Sequence, residues 1–238
     1  MKGFRIDDVL SFGWEVMKRN FGFFAGLLAV AFGIQMVLSM IPVIGGLASN
    51  VFSIVFSIGF IRIALGFCDQ QKLPFGTLFN GWDRFWCYLG GGILYALIIF
   101  GGMLLLIIPG IIFSVMFQFV YYFVVEHHLG PVDALKASAM TTKGVRLKLF
   151  GFGLLLGLIN VAGLLCLLVG VFVTMPTIMV AGALTYRHLV AQTPELAEFG
   201  INVGGADLEA AEPGAVAQLP IQEEPVDDQE NPGHGAGY

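Results

Sequence analysis

The sequence predicts an all-α, polytopic membrane protein with six transmembrane helices in three hairpin pseudo-repeats, each preceded by an interfacial amphipathic helix. Three observations carry this expectation. Six long apolar stretches follow one another with five connections between them. Only 12% of the residues are charged, about half the ~25% of a soluble domain, and so few polar groups could not coat a soluble fold of this size. All twelve Lys and Arg residues fall on one side of the threading pattern: connections two and four, the N-terminus and the near ends of the second and last stretches hold them, and connections one, three and five hold none. Cationic loops resist translocation, so that side is expected to be cytoplasmic, with both termini on it.

A span needs about 20 apolar residues, because about 30 Å of hydrocarbon is crossed at 1.5 Å per residue. The stretches are Phe21–Ile41, Gly46–Cys68, Phe85–Ile108, Gly110–Val125, Leu149–Leu168 and Gly170–Tyr186. The last two form one uncharged run of 38 residues. As a single helix it would reach about 57 Å, so a reversal near Gly170 is expected. The other turns opposite the basic side are read from helix-breaking residues: Pro42 through Gly46, and Pro109-Gly110.

Before each hairpin lies a segment with an apolar face. In the first, Ile6, Val9, Leu10, Trp14 and Met17 share a face opposite Asp7, Ser11, Glu15 and Lys18. In the second, Phe75, Leu78, Phe79 and Trp82 follow helical spacing, and in the third Pro131 starts a helix carrying Val132, Leu135 and Ala139. Such faces suit the headgroup boundary or the underside of a bundle. The order of amphipathic helix, span, turn and span recurs three times, with each hairpin entering from the same side, as parallel repeats do.

Charge divides the chain at about residue 190. Residues 1–190, the expected membrane domain, carry +5, and residues 191–238 carry −10, which together give the net −5. The second part is rich in Ala, Gly, Pro and acidic residues, and it is expected to be a disordered cytoplasmic tail. The basic N-terminus precedes an amphipathic segment rather than a short apolar region with a cleavage site, so no signal peptide is expected. Cys68, Cys87 and Cys166 lack CxxC spacing and read as small apolar residues.

Ionisable groups are nearly missing from the spans. Arg62 lies six residues from the end of the second, about 9 Å deep. It reads as a snorkelling side chain, as an internal partner of Glu126, or as a lipid phosphate contact. Neutral polar residues form stripes: Gln35 and Ser39; Ser49, Ser53 and Ser57 with Asn50 beside them; Ser114 and Gln118. These read as interhelical hydrogen bonds, or as the lining of a polar path. Small residues four apart (Gly22 and Gly26, Ala29 and Gly33, Gly92 and Ala96, Gly153 and Gly157) suggest close helix approach. Lys143, Arg146 and Lys148 follow Thr141-Thr142 and could anchor the chain or hold an anionic headgroup. His127-His128 lacks a spaced third ligand, so no metal site is expected. HExxH, GxSxG, Walker A and GxGxxG signatures are absent from the sequence. The chain is therefore expected not to be an enzyme, to need no cofactor and to bind no nucleic acid.

Certain motifs carry a resemblance. Ile107-Ile108-Pro109-Gly110-Ile111-Ile112 leads to Tyr121-Tyr122. Gly130-Pro131, Ala134-Leu135-Lys136, Ser138 and Thr142-Lys143-Gly144 follow, and the chain goes on to Gly170, Val173-Thr174, Pro176, Tyr186 and Leu189. Over residues 5–190 this resembles a broad group of uncharacterised bacterial six-helix inner-membrane proteins. The group includes YciC-like proteins and the membrane domain fused to some glycerophosphodiester phosphodiesterases. The resemblance implies six helices in a bacterial inner membrane and brings no catalytic residues. The expected role is that of an accessory or scaffold protein that contacts the lipid bilayer and, through its acidic tail, a membrane or cytoplasmic protein. The alternative is a transporter of a small solute or lipid, in which Gln35, Ser53, Ser57 and Gln118 would share a cavity.

Overall fold

A computed structural model describes residues 5–41, 44–69, 71, 73–165 and 169–201, and among them it is all-helical. Five stretches are long and apolar enough to cross a bilayer: Phe21–Ser39, Gly45–Cys68, Phe75–Leu105, Ile107–Glu126 and Arg146–Leu164. The protein is therefore membrane-embedded.

The helices are α1 (Ile6–Arg19), α2 (Phe21–Ser39), α3 (Ile44–Cys68), α4 (Phe85–Leu105), α5 (Ile107–Met116), α6 (Val120–Glu126), α7 (Pro131–Thr141), α8 (Arg146–Leu165) and α9 (Val169–Ala191). Short 3-10 turns occupy Phe75–Phe79, Trp82–Arg84 and Pro194–Phe199. The consecutive long pairs α2–α3, α4–α5 and α8–α9 are each in contact. Helices α8 and α9 run antiparallel, with Gly163 beside Gly170 and Thr174 at one end and Leu149 sharing a crevice with Thr185 at the other. Their connection, residues 166–168 with Cys166, lies outside the described residues, as do Pro42 and Val43 of the first hairpin.

The second outer turn differs from expectation. Leu106 alone, extended at φ −168° and ψ 146°, separates α4 from α5. Pro109 sits in the first turn of α5, where its missing N–H leaves no ladder bond unmade, so it starts the helix instead of breaking one. Gly110 then lies against Gly102 and Met103.

The fourth span is also divided. Residues 117–119 leave the helix between α5 and α6, and α7 supplies what the break lacks. The buried Ser138 hydroxyl donates to the Met116 carbonyl at 2.9 Å and accepts from the Phe119 N–H at 3.2 Å. Thr142 Oγ1 lies 3.2 Å from the same carbonyl. A buried backbone break is tolerated only when its polar groups find partners.

The segments expected at the interface are packed into the protein. Helix α1 lies along α9 with Val9, Phe12, Gly13, Val16 and Met17 buried. Trp14 is turned outward, with Lys18 5.8 Å from its ring centre. The buried face is rotated from the expected one because Gly13 meets the α9 backbone: a Cβ there would stand 2.6 Å from the Thr177 carbonyl. The second segment is not an α-helix. In 3-10 geometry i and i+3 eclipse, so the expected i, i+3, i+4, i+7 face does not form; Leu78 is buried and Phe75, Phe79 and Trp82 are exposed. The third begins at Pro131 as expected, but α7 buries Ala134, Leu135, Ala137, Ser138 and Thr141, and Val132 faces outward.

Close helix approach occurs at glycines other than the expected pairs. A Cβ at Gly59 would stand 2.5 Å from the Leu78 backbone, and one at Gly170 2.2 Å from the Gly163 carbonyl, whereas Gly22, Gly33, Gly153 and Gly157 have open space. Part of the segment expected to be a tail is docked on the helices. Thr193, Leu196 and Ile201 are buried, and the turn at Pro194–Phe199 docks on α7 and α9. Residues 202–238 lie outside the described residues.

Candidate functional site

The ends of α3, α6 and α9 converge on the basic side of the bundle. Each is drawn there by a buried apolar face: Ile63, Ala64 and Phe67 on α3, Val120, Phe123 and Val124 on α6, and Ala183, Tyr186 and Leu189 on α9. Their last turns bring charged residues together. Arg187 on α9 forms ion pairs with Asp69, just past α3, and with Glu126, the last residue of α6. The Arg187 side chain is 11% exposed and that of Glu126 15%. His127 Nε2 lies 3.3 Å from the second Glu126 oxygen. Beside them, the Tyr186 ring stacks on Tyr122 at 5.0 Å.

Arg62 lies on the same side with different partners. Its guanidinium donates to both Asp83 oxygens, at 3.1 and 2.9 Å, and to the Asn80 carbonyl. Asp83 also faces Arg84 at 3.3 Å. Partial burial works against the Asp83 charge, but the Arg62 hydrogen bonds and the two guanidinium charges outweigh it and hold the carboxyl below its ordinary range. His128 occupies the left-handed region at φ 59°. Partial burial and then the Arg84 charge push its pKa down.

A cavity of about 250 Å³ opens between these groups, lined by Arg62, Asp69, Thr77, Glu126 and Arg187 with Leu65 and other apolar residues. Arg62 and Glu126, expected in one reading as an internal pair, therefore share one cavity, but they are not partners. Arg187 joins Glu126, and Asp83 joins Arg62. Sequence reasoning missed Asp69, Asp83 and Arg187 because each is an ordinary helix-end charge until the ends converge. The signal present in the sequence was position: Asp69, Asp83 and Arg187 each stand within two residues of the end of an apolar span. Among the described residues, no three His, Cys, Asp or Glu side chains gather as metal ligands would.

The other singled-out residues do not join this site. Lys143 is exposed before Gly144, which takes φ +87° to end the turn. Arg146 opens α8 half-buried, and Lys148 is exposed. Gln35 donates across the first hairpin to Ser49. Asn50 bonds the Gly46 carbonyl at 2.8 Å, Ser57 the Ser53 carbonyl at 2.7 Å and Ser114 the Ile111 carbonyl at 2.7 Å. Ser53 is exposed, and Gln118 lies at the break between α5 and α6, on a different crevice. Gln35, Ser49, Asn50, Ser57 and Ser114 are thus spent on local and interhelical bonds, and neither the cavity nor that crevice holds more than one member of the stripe.

Three curated proteins are similar to this chain, one from Mycobacterium bovis and two from strains of Mycobacterium tuberculosis, all described as uncharacterized proteins. Each is 30% identical over 132 residues, covering 55% of this chain and 40% of the relative. The chain thus spans well under half the length of the curated relatives it matches. No family model matches it. No solved structure matches it either.

Proposed function

We propose that this is a non-enzymatic accessory or scaffold protein of a bacterial inner membrane, with six spans in three hairpins and both termini cytoplasmic, that contacts lipid and a protein partner. The sixth span in this reading is α9, a 23-residue helix. The observation that carries the role is how the polar groups are used. The charges lining the cavity at the ends of α3, α6 and α9 are matched by one another or by a neighbour: Arg62 by Asp83, Arg187 by Asp69 and Glu126. Such pairs fix helix ends relative to one another, which suits a rigid platform. The polar stripe supports the same reading over transport, because Gln35 and Ser49 tie two helices together and Asn50, Ser57 and Ser114 serve their own helices. The basic cluster and the resemblance to the YciC-like group agree with it.

The acidic segment after Ile201 supplies the means of docking. It carries eight carboxylates and no Lys or Arg, so it would hold a basic surface with salt-sensitive affinity. The test is crosslinking and affinity purification from native membranes, comparing the full chain with one ending at Ile201, which keeps the docked Leu196. A specific protein recovered only with the full chain supports the reading. Recovery of a transported solute with neither form retaining a protein would overturn it in favour of transport.

A further inference from the structure

A second crevice, of about 200 Å³, lies where the break between α5 and α6 meets α8 and α9. Its walls are apolar, from Leu149, Phe152 and Leu156 on α8 and Ile178 and Met179 on α9. One unpartnered donor in the lining interrupts that character, and a second lies outside the lining, toward the basic end of α8. The Gln118 side-chain nitrogen is buried with no protein partner, and it is present because the helix opens at that residue. Arg146 Nε is buried and unpartnered as well. Arg146 stands three residues before Leu149 and seven before Gly153, so it lies on the crevice face of α8 one turn nearer the basic end. Lys143 precedes it, exposed.

We propose that this crevice binds one anionic phospholipid from the leaflet on the basic side. The order of groups along α8 matches the order of groups in such a lipid. Arg146 and Lys143 meet the phosphate, the Gln118 amide donates to an ester carbonyl, and an acyl chain lies against Phe152, Leu156 and Met179. A guanidinium at the headgroup boundary is a ready phosphate partner. An unpaired buried donor is unfavourable, and an ester oxygen would relieve it. A free anion would leave the apolar walls unfilled, and a neutral hydrocarbon would leave Arg146 unanswered. The inference rests on the lipid-contacting reading proposed above and specifies its site.

The test uses the full-length protein in nanodiscs of phosphatidylcholine alone or mixed with phosphatidylglycerol, with retained lipid counted by native mass spectrometry after gentle release. Wild type should keep one phosphatidylglycerol in preference to phosphatidylcholine by at least about fivefold. Arg146→Gln should remove that preference. Gln118→Leu should lower retention of both lipids. Gly153→Leu is the decisive variant. A Cβ at Gly153 meets nothing within 4 Å, so the larger side chain should fill the crevice, displace the lipid and leave thermal stability at or above wild type. Equal retention of both lipids by wild type, or a phosphatidylglycerol adduct that survives in a stably folded Gly153→Leu, would overturn the site. Failure of the lipid reading beneath it looks different: alkaline carbonate would then extract the wild-type protein from membranes without detergent.

Discussion

Helix α3 passes through two unlike regions, and the contrast between them organises the molecule. Near its start, Leu47 is 71% exposed, while from Ile58 to Cys68 nearly every apolar side chain is buried. The same division holds along α9, where Met175 is exposed and Val180 through Leu189 are mostly buried, and across the α4–α5 turn, where Met103 through Ile108 are all exposed. One end of the bundle is thus a thin set of helices whose outer surface suits lipid. The other is a packed body in which α1, the 3-10 turns, α6, α7 and the turn at Pro194–Phe199 surround the ends of the long helices. All three Trp of the chain, Trp14, Trp82 and Trp86, are exposed and belong to segments of this basic side, where their rings suit the headgroup level.

The difference follows from solvent. Between helices in lipid there is no hydrophobic drive, so contact rests on van der Waals packing and hydrogen bonds. Where the chain leaves the hydrocarbon, apolar surface must be covered by protein. Phe24 and Phe67 pack in a tilted pair with ring centres 5.1 Å apart, and Phe23 packs on Phe75 at 4.4 Å. Substitutions should therefore be costly in the packed body and cheap in the exposed one.

The sharpest way to break this contrast is Arg187→Leu. It leaves Asp69 and Glu126 side by side without their cation, and removing one partner of a buried pair costs about 3–5 kcal/mol, less here because Asp69 is 27% exposed. A loss of about 2–3 kcal/mol is expected, read as thermal unfolding in detergent. A loss below about 1 kcal/mol would mean that the ion pairs do not hold the helix ends together.

Ser138→Ala should come next. It strips the break between α5 and α6 of a donor to Met116 and an acceptor for Phe119, with an expected cost of about 1–3 kcal/mol. Hydrogen exchange of the Phe119 amide should rise with it. Unchanged exchange would show that the break does not depend on α7.

Gln35→Leu probes the exposed region. It removes the bond to Ser49, and interhelical bonds in membranes average about 0.6 kcal/mol. An effect as large as that of Ser138→Ala would erase the proposed difference between the regions.

The smallest expected effect is acid sensitivity at the Arg62–Asp83 pair. The folded Asp83 carboxyl sits below its ordinary value of 3.8, so its stabilisation is present above that value and disappears as pH falls through the folded one. The wild-type advantage over Asp83→Asn should be constant at neutral pH and vanish in the range below about 4. An advantage that persists under acid, or that increases, would disconnect the pair from stability.

Much of the fold was legible because membranes demand long apolar stretches and Pro, Gly and Lys/Arg mark their limits. The expectation at Pro109-Gly110 slipped because proline serves equally as a breaker and as a first-turn residue, and only Leu106, with no sequence mark, became the turn. The site was half legible. Arg62 and Glu126 stood out as charges against apolar spans, but their partners did not, because pairing depends on which helix ends meet.

The sequence by itself determined the class of solvent, the all-helical character of the described residues, and the side on which charge collects. Those properties are sums over local composition and spacing. Tertiary structure alone decided which faces of α1 and α7 are buried, that Ser138 and Thr142 complete a broken helix, and that Arg187 rather than Arg62 meets Glu126. Each of these depends on contacts between residues distant in the chain, and periodicity in one segment carries no information about the surface that will cover it.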